Sequence, residues 1–310
     1  MRHICLIVSQ SYRIVISLIK DEIYATYYLL RRDFSASLIP GTFCATSIVI
    51  FNDESYTESV LVIVVLKAIC YFFCYIYVFC LSNQIVGIEE DRINKPDRPI
   101  VTGMFSLYGA WVRFAVSMLI FPMIAFLLGG LRLTYLAILW QIILVIYNFG
   151  GMHKHWLTKN LGFITAGTFA LLAAAYEIAR PGDLIPAVGL ILLVSILFGV
   201  TLNLQDFRDE EGDREAKRIT LPIALGSKQA RIVVALSVLL MAPIIRAYRS
   251  YMELDDSVAA LGIELTLMIL NFVVAFRLLT KRTINNDHTT YMLHTYWFCA
   301  ISLAIGLLMR

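Results

Sequence analysis

Nine long apolar stretches organise this chain, near residues 35–51, 59–81, 105–129, 132–149, 161–179, 184–202, 230–247, 257–279 and 290–308. Each approaches or reaches the roughly 20 residues a helix needs to cross about 30 Å of hydrocarbon. Lipid offers backbone N–H and C=O groups no partners, so spans of this kind have to be helices. With 59% hydrophobic and 16% charged residues, the 310-residue chain is far from the soluble norm. The expected fold is all-α: one polytopic membrane domain over residues 1–310, with residues 1–34 as an N-terminal segment. Within that segment, Asp21–Arg32 reads as an amphipathic interfacial helix, with Tyr24, Tyr27 and Leu30 beside Arg31 and Arg32. Arg13 interrupts the first apolar stretch and no small-residue cleavage site follows it, so no cleavable signal peptide is expected.

Charge orients the chain. Most of the 26 Lys and Arg fall in the N-terminal segment and in the loops after the second, fourth, sixth and eighth spans. The positive-inside rule puts those loops and the N-terminus in the cytosol. A net charge of +3 gives no reason to expect nucleic acid as a partner. Cys5, Cys44, Cys70, Cys74, Cys80 and Cys299 show no metal-ligand spacing and read as packing residues. Lys67, Arg113, Glu177 and Glu264 lie in or near the ends of spans, and Lys67 either pairs with Glu264 or snorkels. His153 and His155 read as ordinary loop histidines.

Two acidic patches stand at the ends of apolar runs, on the side the basic loops mark as cytosolic: residues 83–91, NQIVGIEED, and residues 206–213, DFRDEEGD. A carboxylate in a bilayer costs about 2.5–3.5 kcal/mol on insertion scales, so it persists there where a cavity, metal or substrate uses it. Asn83, Gly87 and Asp91 fall at i, i+4, i+8, and Asp206, Asp209 and Asp213 at i, i+3, i+7, so each set lines one helix face. Facing sets of hard oxygen ligands suit Mg²⁺ that also holds a diphosphate. Arg92, Lys95 and Arg98 sit in the loop after the second span, Arg208, Arg214, Lys217, Arg218 and Lys228 in the loop after the sixth, and Lys154 and Lys159 follow the fourth, as topogenic charge or as diphosphate contacts.

Asn83…Asp91 followed by RINKPDRPI, together with DFRDEEGDR…TLP from Asp206 to Pro222, resembles the paired signatures of the UbiA superfamily of intramembrane prenyltransferases. Tyr147 and Lys154 resemble a weaker third element. The resemblance covers essentially the whole chain and implies nine transmembrane helices around a central cavity, with both motifs cytosolic. It also implies Mg²⁺ as cofactor and an isoprenyl diphosphate as substrate. Asn83, Asp91, Asp206, Asp209 and Asp213 become the metal and diphosphate candidates, with Lys154, Arg98 and Lys217 as substrate contacts. The fuller first motif reads Asn-Asp-x-x-Asp-x-x-x-Asp, whereas Gln84 and Gly87 occupy its first two acidic positions here. Glu89 and Glu90 could compensate, but Glu90 projects about 100° from Asp91 around a continuous helix, away from the expected face. Lys217 stands where a glycine is usual, so backbone freedom is lost and a charge gained.

Asn-x-x-x-Gly-x-x-x-Asp is similar to the fungal UbiA-type terpene cyclases, which return the allylic cation to its own chain. A carbocation needs a dry pocket with aromatic faces. Helical steps back from Asn83 reach Phe79, Tyr75 and Phe72, as cation stabilisers or as packing residues; Gly199 and Leu202 lie below Asp206, leaving room for a tail or permitting close packing. The leading expectation is Mg²⁺-dependent cyclisation of farnesyl or geranylgeranyl diphosphate, in the endoplasmic reticulum by the fungal resemblance. Prenyl transfer to an aromatic or quinone-precursor acceptor is the alternative. A transporter would scatter ionisable groups through the bilayer rather than cluster them at one interface. A catalytically inactive membrane partner would keep the fold without turnover. Oligomeric state is left open.

Overall fold

Helices account for nearly all of the computed structural model, which describes residues 2–52, 56–182, 184–254 and 257–309, with side chains from residue 16 onward except Asn52. The side chains of Cys5 and Arg13 lie outside that range. In order come α1 (Arg2–Leu30), α2 (Leu38–Asn52), α3 (Glu58–Val86), α4 (Ile88–Asn94), α5 (Pro99–Thr102) and α6 (Leu107–Phe149). A π-helix (Leu157–Ile164) runs into α7 (Thr165–Ala179), followed by α8 (Ile185–Thr201), α9 (Asp206–Glu215) and α10 (Leu221–Leu225). The chain closes with α11 (Ser227–Tyr251), α12 (Val258–Thr280) and α13 (Ile284–Leu308). Local chemistry sets several starts: Thr57, Ser106, Ser257 and Thr283 accept hydrogen bonds from the N–H groups of Val60, Gly109, Ala260 and Asn286. Each satisfies a donor that a helix start leaves open.

Among the described residues, eight helices are long and apolar enough to cross a membrane. Nine spans were expected; two of them, 105–129 and 132–149, both fall within the 43-residue run of α6. Straight, that run would extend about 64 Å, twice the hydrocarbon thickness. It does not run straight, because Gly129 (φ −154°, ψ 16°) and Gly130 (φ 70°, ψ −159°) leave helical geometry. A residue with a Cβ resists the Gly130 conformation. The two arms then lie side by side: Gln141 Nε2 donates to the Met118 carbonyl at 2.9 Å, and Trp111 stacks on Phe149 at 5.4 Å. Their outer surface is apolar and open, with Leu119 72% and Leu127 81% exposed, as a lipid-facing surface has to be. This is a multi-pass integral membrane protein.

Glu264, Arg113 and Glu177 are each partnered. Glu264 takes Arg249 and, at 3.5 Å, Arg246 as partners rather than Lys67. Arg113 Nε donates to Glu22 of α1 at 2.9 Å, and Glu177 accepts the Gly182 N–H at 3.2 Å. Burial of these groups without such partners would cost several kcal/mol.

Candidate active site

The first acidic motif straddles a helix junction. α3 ends at Val86 and α4 begins at Ile88, with Gly87 between them at φ −95°, ψ 18°. Hydrogen bonds bridge the junction, from Gly87 N–H to Asn83 O and from Asp91 N–H to Gly87 O, both 2.9 Å. The changed ψ nonetheless rotates α4 relative to α3, so the i, i+4, i+8 face does not carry through. Asn83 faces a cavity, whereas Asp91 turns inward, only 1% exposed, and accepts a 2.6 Å hydrogen bond from Arg98 Nη1. Glu90, expected to point away, lines the cavity instead. Gln84 does not reach it; its amide lies 3.4 Å from the Leu29 carbonyl of α1.

The second motif behaves as its spacing requires. Asp206, Asp209 and Asp213 all turn inward from α9, while Glu211, Arg214 and Glu215 face out. Lys159 of the π-helix donates to Asp206 Oδ1 at 2.5 Å. Arg208 grips both oxygens of Asp209 at 2.8 and 2.9 Å, and Arg218 approaches Asp213 at 3.4 Å while also pairing with Glu90. α4 and α9 lie close because position 212 is glycine: a Cβ there would sit 2.3 Å from Asn94 Nδ2. Asn94 Nδ2 in turn donates to the Asp209 carbonyl at 3.2 Å.

At the meeting of the motifs, one ammonium collects three carboxylates. Lys95 Nζ lies 3.6 Å from Glu90, 3.9 Å from Asp91 and 3.5 Å from Asp209. Burial raises the Asp91 carboxyl above the usual carboxylate range, only partly offset by Arg98 and Lys95. For Glu90 burial acts the same way, but Lys95 and Arg218 outweigh it and the pKa falls.

The cavity measures about 440 Å³, within the usual range for small-molecule sites. Its charged wall carries Glu90, Lys95, Arg98, Lys159, Asp209 and Arg218; Tyr27, Arg31 and Arg32 from the end of α1 contribute a cover. Arg31 and Arg32 both pair with Asp97, which fastens α1 to the loop after the first motif. The apolar wall is aromatic. Phe79, Tyr147 and Phe163 line it, with Tyr147 stacked on Phe163 at 3.7 Å and Phe79 at 5.6 Å from the same ring.

Of the residues expected from sequence, Phe79, Asn83, Arg98 and Asp209 line this cavity. Asp91, Asp206 and Asp213 form a layer behind it, each at most 1% exposed. Tyr75 also sits behind, stacked 4.0 Å from Trp140 with its hydroxyl donating to Gly167 O at 2.7 Å; Phe72 packs over Gly41. Two expected substrate contacts are corrected. Lys154 is exposed and borders a neighbouring hollow, because the chain needs five more residues to enter the bundle. Lys217 is exposed at φ 54°, in the turn after α9, and borders none of the described cavities that hold the motifs. Lys159 is the buried cation on the span 4 side, brought in by π geometry, which recurs at functional sites. Phe163, on the same π segment, had no motif to mark it.

The donor chemistry fits Mg²⁺. Asp206 Oδ2 and Asp213 Oδ2 are buried without hydrogen-bond partners, and hard carboxylate oxygens are what Mg²⁺ takes. Among the described residues, no three acidic, His or Cys side chains are drawn together as a preformed metal centre; the carboxylates are instead held by lysine and arginine.

Fold and site together define an integral membrane enzyme with its polar centre at one end of a helical bundle. The chain belongs to the UbiA prenyltransferase family, whose model matches residues 38–305. Somaliensene A/B synthase of Streptomyces somaliensis is 31% identical over 287 residues, 92% of this chain and 93% of that protein. Diterpene cyclase eriG of Hericium erinaceus is 33% identical over 273 residues, 87% of this chain and 83% of that protein. Polyprenyl transferase eriF of the same fungus is 29% identical, over 93% and 95%. A UbiA homologue from Archaeoglobus fulgidus bound to GPP and Mg²⁺ shares the fold, with a TM-score of 0.62 at 13% identity, over 91% of this chain and 99% of that one.

Proposed function

We propose that this enzyme ionises a C15 or C20 isoprenyl diphosphate in an Mg²⁺-dependent reaction and closes the resulting cation on its own chain, releasing a terpene. One observation carries the reading: the cavity joins a wall of carboxylates and cations from both motifs to the faces of Phe79, Tyr147 and Phe163. The synthase and cyclase relatives support cyclisation, and the diterpene cyclase supports a C20 donor. Asn83, Asp91, Asp206, Asp209 and Asp213 are the residues assigned to the metal and diphosphate. Bound Mg²⁺ supplies Lewis-acid neutralisation of the departing diphosphate. Arg98, Lys95, Lys159 and Arg218 take up the charge that develops as the allylic C–O bond breaks and its electron pair leaves with the diphosphate. The aromatic wall faces the cation with π density and excludes water. Proton loss after ring closure returns a neutral hydrocarbon. The chain works as one domain over 1–310, with its N-terminus and both motifs cytosolic by the positive-inside rule and the endoplasmic reticulum as its membrane.

Prenyl transfer to an aromatic or quinone-precursor acceptor is the second reading. It rests on the polyprenyl transferase relative and on a second hollow of about 440 Å³, bordered by Asn148, His153 and Lys154, which shares Glu90 and Arg218 with the first. Membranes carrying the chain, given Mg²⁺ and farnesyl or geranylgeranyl diphosphate without acceptor, separate the two. A cyclic hydrocarbon by gas chromatography–mass spectrometry, lost with EDTA or Asp209→Asn, supports cyclisation. Turnover that appears only when an aromatic acceptor is added overturns it in favour of transfer.

A further inference from the structure

We infer that Glu90 supplies the first motif's cavity-facing carboxylate and acts as a ligand to the divalent cation, in place of the side chain that Gly87 lacks. The inference rests on the metal-dependent reading above and goes to the one part of the site that the sequence left incomplete. Gly87 stands at an acidic position of the fuller motif and carries no side chain. A Cβ built on it would lie 3.8 Å from both Glu90 Oε2 and Asp91 Oδ2, so two carboxylates reach the space beside that position, and of the two only Glu90 lines the cavity. The helix junction at Gly87 is what turns Glu90 there.

Three further observations agree. Glu90 lines the cavity, whereas Asp91 of the same motif lies behind it, held by Arg98. Glu90 from α4 and Asp209 from α9 already share one cation, the Lys95 ammonium, at 3.6 and 3.5 Å. That shared position marks where positive charge is wanted between the motifs, and hard oxygens from both sides are the donors Mg²⁺ takes. Asp206 Oδ2 and Asp213 Oδ2, both buried, add acceptors on the α9 side that no hydrogen-bond donor among the described residues satisfies.

The test uses the full chain in lipid nanodiscs, with Mn²⁺ as the probe and electron paramagnetic resonance reading free Mn²⁺, in the presence of inorganic pyrophosphate. Asp209→Asn serves as the reference for a lost ligand. Changing a residue that only orients a metal ligand already costs about 10–100-fold in metal affinity, so Glu90→Gln is expected to raise the Mn²⁺ Kd by at least about tenfold, as is Asp209→Asn. Should Glu90→Gln fold poorly, Glu90→Asp keeps the charge while withdrawing the carboxylate by one methylene, and a raised Kd is again expected. An unchanged Kd in either Glu90 variant, alongside a raised Kd in Asp209→Asn, overturns the assignment of Glu90 and leaves the metal-dependent reading standing. A wild-type chain that takes up no Mn²⁺, or an Asp209→Asn variant that binds it as well as wild type, overturns both.

Discussion

Replacing Lys159 by methionine removes an ammonium that is 7% exposed and bonded at 2.5 Å to Asp206, itself 0% exposed. The aliphatic stem is kept, so packing changes little and the effect is electrostatic. Asp206 already has one oxygen without a partner; the substitution leaves its whole carboxylate buried and uncompensated. Breaking a buried pair from one side costs about 3–5 kcal/mol. At about 2–4 °C per kcal/mol for a chain of moderate size, the melting temperature should fall by roughly 6–20 °C. The companion Lys159→Met/Asp206→Leu removes both charges and should recover most of that loss, since apolar replacements of buried pairs are often neutral. Turnover should not recover with it, because the diphosphate loses a cation and the second motif a carboxylate. Melting in nanodiscs, followed by intrinsic fluorescence, and product formation on the same preparations give the two readouts. If the single variant melts within about 2 °C of wild type, Lys159 does not compensate Asp206; if the double variant turns over normally, the pair has no part in the chemistry.

Phe163→Leu removes the ring between Tyr147 and Phe79; a desolvated cation–π contact is worth up to about 2 kcal/mol, so product formation should slow by up to about 30-fold with a shifted product ratio by mass spectrometry, and an unchanged profile would count against an aromatic role. Gly212→Ala puts a methyl within 2.6 Å of the Asn94 side chain; it should part α4 from α9 at a cost of about 1–3 kcal/mol, seen as lower melting temperature and turnover. Asp97 has a lowered pKa, because its hydrogen bonds and charge contacts with Arg32 and Arg31 outweigh burial. A depressed carboxylate contributes stability above its unfolded pKa of about 3.9 and loses it as pH falls through the lower folded value. The α1 fastening should therefore hold from neutral pH down to about 4 and release below it, which hydrogen exchange over residues 20–34 can follow, with Asp97→Asn released at every pH.

Long apolar runs made the spans legible, since crossing hydrocarbon leaves a helix no alternative. The same signal separated 105–129 from 132–149, and Gly129 and Gly130 leave helical geometry at that boundary. Spacing gave the α9 face correctly: Asp206, Asp209 and Asp213 sit on an uninterrupted helix. It misjudged the first motif for the converse reason. Counting by four from Asn83 assumes a constant twist, and Gly87 changes it, exchanging the expected orientations of Glu90 and Asp91. Lys154 and Lys159 carry the same charge in the same loop; what separates them is that π geometry inserts only the second into the bundle. Tyr27 of α1, and Arg31 and Arg32 in the turn after it, reach the cavity with the help of the Asp97 pairs and the Glu22–Arg113 contact, long-range partnerships that local pattern does not encode.

Charge balance explains why such a site can exist before substrate arrives. Glu90, Asp91, Asp206, Asp209 and Asp213 are met by Lys95, Arg98, Lys159, Arg208 and Arg218, group for group. Carboxylates from two motifs, crowded at a membrane face, would repel one another without those cations; with them, neither set bears an uncompensated charge in a low dielectric. Diphosphate arriving alone would compete with the carboxylates for the same lysines and arginines and leave net negative charge behind. A divalent cation arriving alone would have to draw the carboxylates from partners that already neutralise them. Arriving together, the two would be able to exchange with the network pairwise, the carboxylates being the groups that would hold the metal and the basic groups those that would hold the phosphate oxygens. On the proposed function, the ion pairs that support the substrate-free fold would also be the contacts that substrate rearranges.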